Sequence, residues 1–354
     1  MIHTVSKSLK RRVRSLLDRS PRAVILAYHR VAADPWDPSQ LCVSPRHFEE
    51  QMHLLREETE PIRLRDLALG SPERNIRNGG VVLTFDDGYA DSWSSAAPVL
   101  AAMRIPATFF VTTGMVDSGR EFLADELIHL TLLAARLPKP LEIAVRGQAV
   151  RLAEMMQPAL FGGKDQLEGG GKATDEMARE RLYAALHRIL REENSESREA
   201  ILSEIRRQVG GGDVSACESH RTLSSSELRE LAGEDLFEVA AHSIEHLVLR
   251  RLPVEEQARQ IRDSKCQLER ILSRPVESFA YPYGSEWDVS PTTVDLVRQA
   301  GFRQACANVP GQIRRDSNPF WLPRCLVRDW GEAEFRQKLR DFFLPHHVAQ
   351  PVSA

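Results

Sequence analysis

Short apolar runs rich in β-branched and aromatic residues recur at positions 23–27, 81–85, 107–111, 238–241 and 278–281, with a weaker run at Leu326 and Val327. They are continuously apolar rather than alternating, the pattern of strands buried on both faces of a parallel sheet. Amphipathic stretches with explicit boundary chemistry lie between them. Ser44 and Pro45 suit the N-cap and first position of a helix whose apolar face is Phe48, Met52 and Leu55, and Ser224 with Glu227 spells a capping box that Gly233 closes. Ser290 and Pro291 open another helix with Val294 and Val297 inside and Gly301 after it, and residues 253–272 carry Val254, Ala258, Ile261, Leu268 and Ile271 at helical spacing. A further amphipathic helix is expected at 332–344. Strand then helix, repeated, predicts an α/β fold with a mostly parallel sheet, open or closed into a barrel.

The pattern breaks between residues 125 and 221. This stretch is polar and helix-prone, with glycine clusters at 162–163, 169–171 and 210–212 and one hairpin-like segment turning at Gly147. It reads as a mainly helical insertion dividing a barrel made of residues 23–124 and 222–345. Its histidines, His129, His187 and His220, are not paired at ligand spacing, so the insertion is expected to form a lobe that supplies no metal ligands. Residues 1–22 form a basic tail or helix, with Lys7, Lys10, Arg11, Arg12, Arg14, Arg19 and Arg22 against Asp18 and with Val13, Leu16 and Leu17 interleaved. A helix lying on an anionic membrane surface and a solvated tail both fit this composition.

At 354 residues, 42% hydrophobic and 27% charged, the chain has ample material for the core of a globular enzyme. A formal net charge of -3 argues against nucleic acid as a partner. Cys42, Cys217, Cys266, Cys306 and Cys325 are scattered and odd in number, which favours a reducing compartment. No apolar stretch approaches the ~20 residues needed to cross a bilayer, and no apolar segment follows the basic N-terminal residues as in a secretory signal. A cytoplasmic protein is therefore expected, at the inner membrane surface if the basic tail docks there.

Three segments that carry chemistry fall, in chain order, at or just after strand ends, where parallel α/β folds gather their ligand-binding groups. In Leu83-Thr84-Phe85-Asp86-Asp87-Gly88-Tyr89, two adjacent carboxylates leave a buried strand, which is costly unless they are paired, solvated or bound to a cation. An ordinary Asp-Asp-Gly turn is the alternative. In His242-Ser243-Ile244-Glu245-His246, a helical turn would place both imidazoles on one face within reach of one metal ion. The same letters match the H-x-x-E-H of inverted zinc peptidases, with Glu245 as base; that reading leaves Asp86 and Asp87 without a role. In Phe279-Ala280-Tyr281-Pro282-Tyr283-Gly284, the rings of Tyr281 and Tyr283 suit the apolar face of a sugar, and a backbone N–H near Tyr283 suits an oxyanion donor. A tight turn with core tyrosines fits these letters as well. Two histidines and a carboxylate also describe the facial triad of non-haem iron oxygenases, but the strand-helix alternation argues for a barrel rather than their common all-β scaffolds.

Together and in this order, the T-F-D-D-G, H-S-x-x-H and P-Y-G segments resemble the signature of polysaccharide deacetylases, the NodB homology domain or carbohydrate esterase family 4. The resemblance covers most of the chain outside the insertion. It implies a distorted (β/α)7-type barrel and a metal-dependent hydrolase that removes N-acetyl groups from a polysaccharide or glycan conjugate. It also implies Asp86 as general base and Asp87, His242 and His246 as metal ligands. Zinc is favoured by donor type, and nickel or cobalt fit the same donors. The family's usual arginine shortly before Pro-Tyr is replaced by Ala280 and Tyr281; Arg324, in Leu322-Pro323-Arg324, is the candidate to orient the base in its stead. Leu26-Ala27-Tyr28-His29-Arg30 is similar to the exopolysaccharide-deacetylase branch, in which an early Tyr-His takes the place of a late catalytic histidine. His29 is then the expected general acid, with His346 and His347 as competitors. A glycan-binding module that has lost catalysis would lack one of these groups, and none is missing. With a cytoplasmic location, the expected substrate is an N-acetylated, nucleotide-linked or lipid-linked glycan precursor.

Overall fold

The computed structural model describes residues 23–67, 79–137, 141–151, 175–210, 220–314, 316–344 and 348–352; the basic segment 1–22, most of the glycine clusters, Cys217, His346 and His347 lie outside them. The strands are β1 (Ala23–Tyr28), β2 (Arg30–Val31), β3 (Cys42–Val43), β4 (Glu60–Pro61), β5 (Gly80–Phe85), β6 (Ala107–Val111), β7 (Glu142–Val145), β8 (Gln148–Arg151), β9 (Phe237–Ala241), β10 (Ser278–Ala280), β11 (Gln304–Cys306) and β12 (Cys325–Leu326). A curled, wholly parallel sheet runs in the order β11-β10-β9-β6-β5-β1-β12, with β4 pairing β5 off this path, and forms the distorted half-barrel expected of the α/β pattern.

The helices are α1 (Pro45–Glu58), α2 (Ala97–Met103), α3 (Leu123–Leu127), α4 (Asp175–Leu190), α5 (Ser195–Val209), α6 (Ser225–Gly233), α7 (Val254–Leu272), α8 (Pro291–Gln299) and α9 (Glu332–Phe342). Their starts follow local chemistry. Ser44 accepts from the His47 N–H to cap α1, Ser224 and Glu227 close a reciprocal capping box on α6, and Ser290 does the same with Thr293 on α8. Among the described residues no helix is long and apolar enough to cross a membrane.

Strand alternation sorts the core into two layers. Val24, Leu26 and Tyr28 of β1, Val81, Leu83 and Phe85 of β5 and Phe109 and Val111 of β6 pack with helix residues such as Phe48, Met52, Leu55, Ile261 and Leu268. The other face of the same strands, Ala23, Ile25, Val82, Phe110, Ala240 and Ala280, fills the inside of the half-barrel with Cys306, Ile313 and Leu322. The loop between β11 and β12 laces the two sheet edges together: Ala305 N–H donates to Pro319 O, Ala307 N–H to Leu322 O, and Ala23 and Ile313 exchange both their backbone bonds.

Residues Gly119–Arg221 form a second compact unit, separate from the one built by the chain on either side. It begins before the expected Asp125 because Leu123 and Leu127 of α3 pack with its own core, which includes Leu182, Leu186, Leu190, Ile201, Leu202 and Ile205 from α4 and α5. Its hairpin β7–β8 turns at Arg146-Gly147, both at positive φ (50° and 78°), the two-residue turn that matches strand twist.

Candidate active site

The inward-facing parity of the strands decides which side chains meet above the half-barrel. Counting in twos, Val82 is followed by Thr84 and Asp86, Ala240 by His242, and Ile25 by Ala27 and His29. β1 and β5 pair in register up to Tyr28 opposite Phe85, and the Asp86 N–H donates to Tyr28 O at 2.9 Å. His29 and Asp86 therefore leave neighbouring strands at the same height.

Asp86 is buried and held at both oxygens. The Arg324 guanidinium donates from Nη1 to Oδ1 and from Nη2 to Oδ2, each at 2.6 Å, while its Nε donates to Ala307 O at 3.0 Å and Nη1 also reaches Thr84 Oγ1 at 3.2 Å. Burial by itself pushes the Asp86 carboxyl up, but the charges of Arg324 and His242 and the arginine hydrogen bonds outweigh it and hold the group below the ordinary Asp value. The two parallel bonds fix the plane of the carboxylate, and each oxygen keeps a further lone pair for a proton.

Asp87 turns the other way, because its backbone sits at φ 72° and Gly88 follows at φ 90°. The left-handed pair redirects the chain at the end of β5. Asp87 Oδ1 lies 3.2 Å from His246 Nε2 and 3.5 Å from His242 Nε2, and these ligand atoms form one group able to hold a metal ion. Oδ1 is fully buried yet aligned for a hydrogen bond with neither imidazole. Three donors that converge without bonding one another fit a cation between them. Because a carbonyl can only accept, the 2.8 Å contact of His242 Nδ1 with Ala280 O makes Nδ1 the donor and leaves Nε2 as the ligand atom. Burial pushes Asp87 up; His246 and the hydrogen-bonding reach of both imidazoles bring it well below the ordinary value, so the carboxylate form prevails.

The 242–246 segment is not helical, contrary to expectation. Ser243 and His246 have φ of 60° and 51°, and the turn is pinned at several points. The His246 N–H donates to Ser243 Oγ, the N–H groups of Ile244 and Glu245 both donate to Gln260 Oε1, and Gly114 N–H donates to Ile244 O. A Cβ on Gly114 would stand 2.6 Å from that carbonyl oxygen, so glycine is required there. The Glu245 side chain accepts from Gln260 and Arg259 on α7. It is committed to α7 rather than to the metal group, which removes the base that the inverted-peptidase reading needs.

His29 is buried, and its Nδ1 has no hydrogen-bond partner. Burial lowers its pKa, against the pull of Asp87 and Asp86 and with the push of Arg324 and His242, which places it in the same electrostatic neighbourhood. Tyr283, at φ 60°, sets its ring 4.8 Å from that of His246. Tyr281 is not brought to the site. It is 1% exposed in the helix-side core and its hydroxyl donates to Phe320 O, so the strand parity that turns Ala280 inward turns Tyr281 away. Sequence reasoning quoted Thr84 and Ser243 as motif letters without a role and missed Gln260; these three steady Arg324 and the histidine turn. Gln260 carried a signal, a polar side chain next to Ile261 on the buried stripe of α7.

The sequence profile of polysaccharide deacetylases matches residues 74–135 and 180–305, more than half of the chain. The chain belongs to the polysaccharide deacetylase family. His29 and Arg324 lie outside the matched residues, and Asp86, Asp87, His242 and His246 lie within them. Solved structures with the same fold include IcaB from Ammonifex degensii (19% identity, 91% of this chain and 97% of that one, TM-score 0.56). The Streptococcus pyogenes deacetylase PplD in complex with acetate is similar too (16%, 90% and 99%, 0.55), as is the BpsB deacetylase domain from Bordetella bronchiseptica (17%, 88% and 98%, 0.50). Among curated protein sequences none matches this chain.

Proposed function

We propose that this polysaccharide deacetylase is a metal-dependent amidohydrolase that removes N-acetyl groups from a glycan. The observation that carries the reading is the side-by-side placement of a three-donor group, Asp87, His242 and His246, and a separate carboxylate, Asp86, whose plane Arg324 fixes. A divalent cation bound there, zinc by donor type, supplies a Lewis acid that polarises the acetyl carbonyl and acidifies water.

The chain's own residues divide the remaining work. Asp86 accepts the proton of the attacking water on a lone pair that Arg324 leaves open. Its lowered pKa keeps it ionised and also makes it a weak base, which is why it needs water of raised acidity. Arg324 is a positioning residue. His29 donates the proton that lets the sugar nitrogen leave as an amine, and burial, which disfavours its charged form, favours that release. The Tyr283 ring beside His246 offers an apolar wall to the sugar and its backbone an oxyanion donor.

The test is acetate release from a panel of N-acetylated glycans, polymeric, lipid-linked and nucleotide-linked, by protein stripped of metal and then reloaded with zinc, nickel or cobalt. Acetate should appear only after reloading. Full turnover in the stripped protein would overturn the mechanism, and no acetate from any glycan by loaded protein would overturn the activity.

A further inference from the structure

A second group of donors lies within the Gly119–Arg221 unit and shares no residue with the site described above. Glu121 comes at the start of the unit, His129 in the turn that continues α3, and His220 at its end. Glu121 Oε1 is 3.3 Å from His129 Nε2 and 4.0 Å from His220 Nδ1, and Asp125 Oδ1 is also 4.0 Å from His220 Nδ1. The ligand atoms of Glu121, His129 and His220 together form a group able to hold a metal ion. The side chains of Glu121, Asp125 and His220 are only 5–6% exposed.

His129 Nε2 is buried and makes no hydrogen bond, although Glu121 Oε1 stands 3.3 Å away. The two atoms are close without being aimed at each other. The imidazoles of His129 and His220 are tilted by 59° with centroids 5.8 Å apart, so the rings are not stacked either. Donors at about 2.0–2.1 Å from a tetrahedral zinc ion lie roughly 3.3 Å from one another. Asp87 Oδ1 stands in the same relation to His246 Nε2, at 3.2 Å and unbonded.

We propose that Glu121, His129 and His220 form a second divalent-metal site, with a structural role and donors suited to zinc. The donors come from both ends of the unit, so the ion clips its entry to its exit and closes the long loop between Glu121 and His220. Closing a long loop removes freedom mainly from the unfolded chain, and the binding energy becomes folding energy.

This group shares no donor with Asp87, His242 and His246, so zinc alone tests it. Full-length protein carrying His242→Ala and His246→Ala, which removes active-site donors, is stripped with a chelator, reloaded with zinc and freed of excess before its metal is counted. Retention of about one zinc per chain is expected, falling to none when Glu121→Gln and His129→Gln are added. Limited proteolysis within residues 119–221 should slow when zinc is restored to the first variant and should be indifferent to zinc in the second. Absence of bound zinc in the folded first variant, as judged by circular dichroism, would overturn the proposal. So would zinc that the added substitutions leave in place. Should either variant fail to fold, the stripped wild-type chain and its single His129→Gln variant are titrated with zinc against a chromophoric chelator. Loss of one site in the variant supports the second site, and equal stoichiometry overturns it.

Discussion

Arg324→Met tests how the base is held. The substitution keeps much of the side-chain volume but removes the donors to Asp86, Ala307 O and Thr84, all in a place where Arg324 is 2% exposed. Breaking a buried ion pair from one side typically costs about 3–5 kcal/mol. Asp86 can limit that cost by taking a proton, because without the guanidinium the burial that raises its pKa prevails. The protonated base is then idle near neutral pH, and a general base contributes about 10²–10⁴ in rate. In the wild type, the lowered Asp86 pKa adds stability that is complete above the ordinary value of about 3.9 and is lost as pH falls through the folded value. In Arg324→Met the acid limb of kcat/KM should move to higher pH while metal content stays constant. Urea unfolding of Arg324→Met, Asp86→Asn and the double variant should show the double losing less than the sum, and its turnover should equal that of Asp86→Asn alone. An unmoved acid limb with additive stability losses would refute the clamp. A further loss of rate in the Asp86→Asn background would assign the arginine to the substrate instead.

Asp86→Asn itself should retain metal and lose about 10²–10⁴ in kcat, and metal analysis beside acetate release checks both; loss of metal here but not in Asp87→Asn would reverse the two roles. His29→Gln should keep metal and fold while cutting amide hydrolysis severely and sparing an activated ester, whose leaving group needs no proton; equal losses on both substrates would show a positioning role. Gly114→Ala should destabilise by about 1–3 kcal/mol and weaken metal binding, because its Cβ drives the Ile244 carbonyl and with it the His246 turn outward; unchanged zinc affinity would show that the turn is held elsewhere.

Much of this was legible in the sequence. The apolar runs mark β1, β5, β6, β9 and β10 to within a residue or two, because strands buried on both faces carry few polar positions to obscure them. The two- and three-residue strands β4, β11 and β12 are weak or silent in the pattern, since Glu60–Pro61 and Gln304–Cys306 owe their extended form to neighbours already in the sheet. The residues proposed to hold the metal were legible as letters, but the turn that joins His242 to His246 was not. It depends on Gln260 and Gly114, which reach it from other elements. Tyr281 was misplaced for want of a parity argument available from Ala280 alone. The meeting of His129 with His220 could not be read at all, since nothing local links positions so far apart.

The bond between Arg324 and Asp86 joins residues 238 positions apart, one at the end of β5 and the other just before β12, the last strand to enter the sheet. During synthesis from the N-terminus, every donor of the Asp87 group emerges before the residue that aligns the base. A nascent or truncated chain ending before Arg324 would thus possess its metal-binding letters but no oriented Asp86. The clamp on Asp86 is in this sense the final event of assembly, and on the proposed mechanism a growing chain stays inactive until its sheet edges have been laced together.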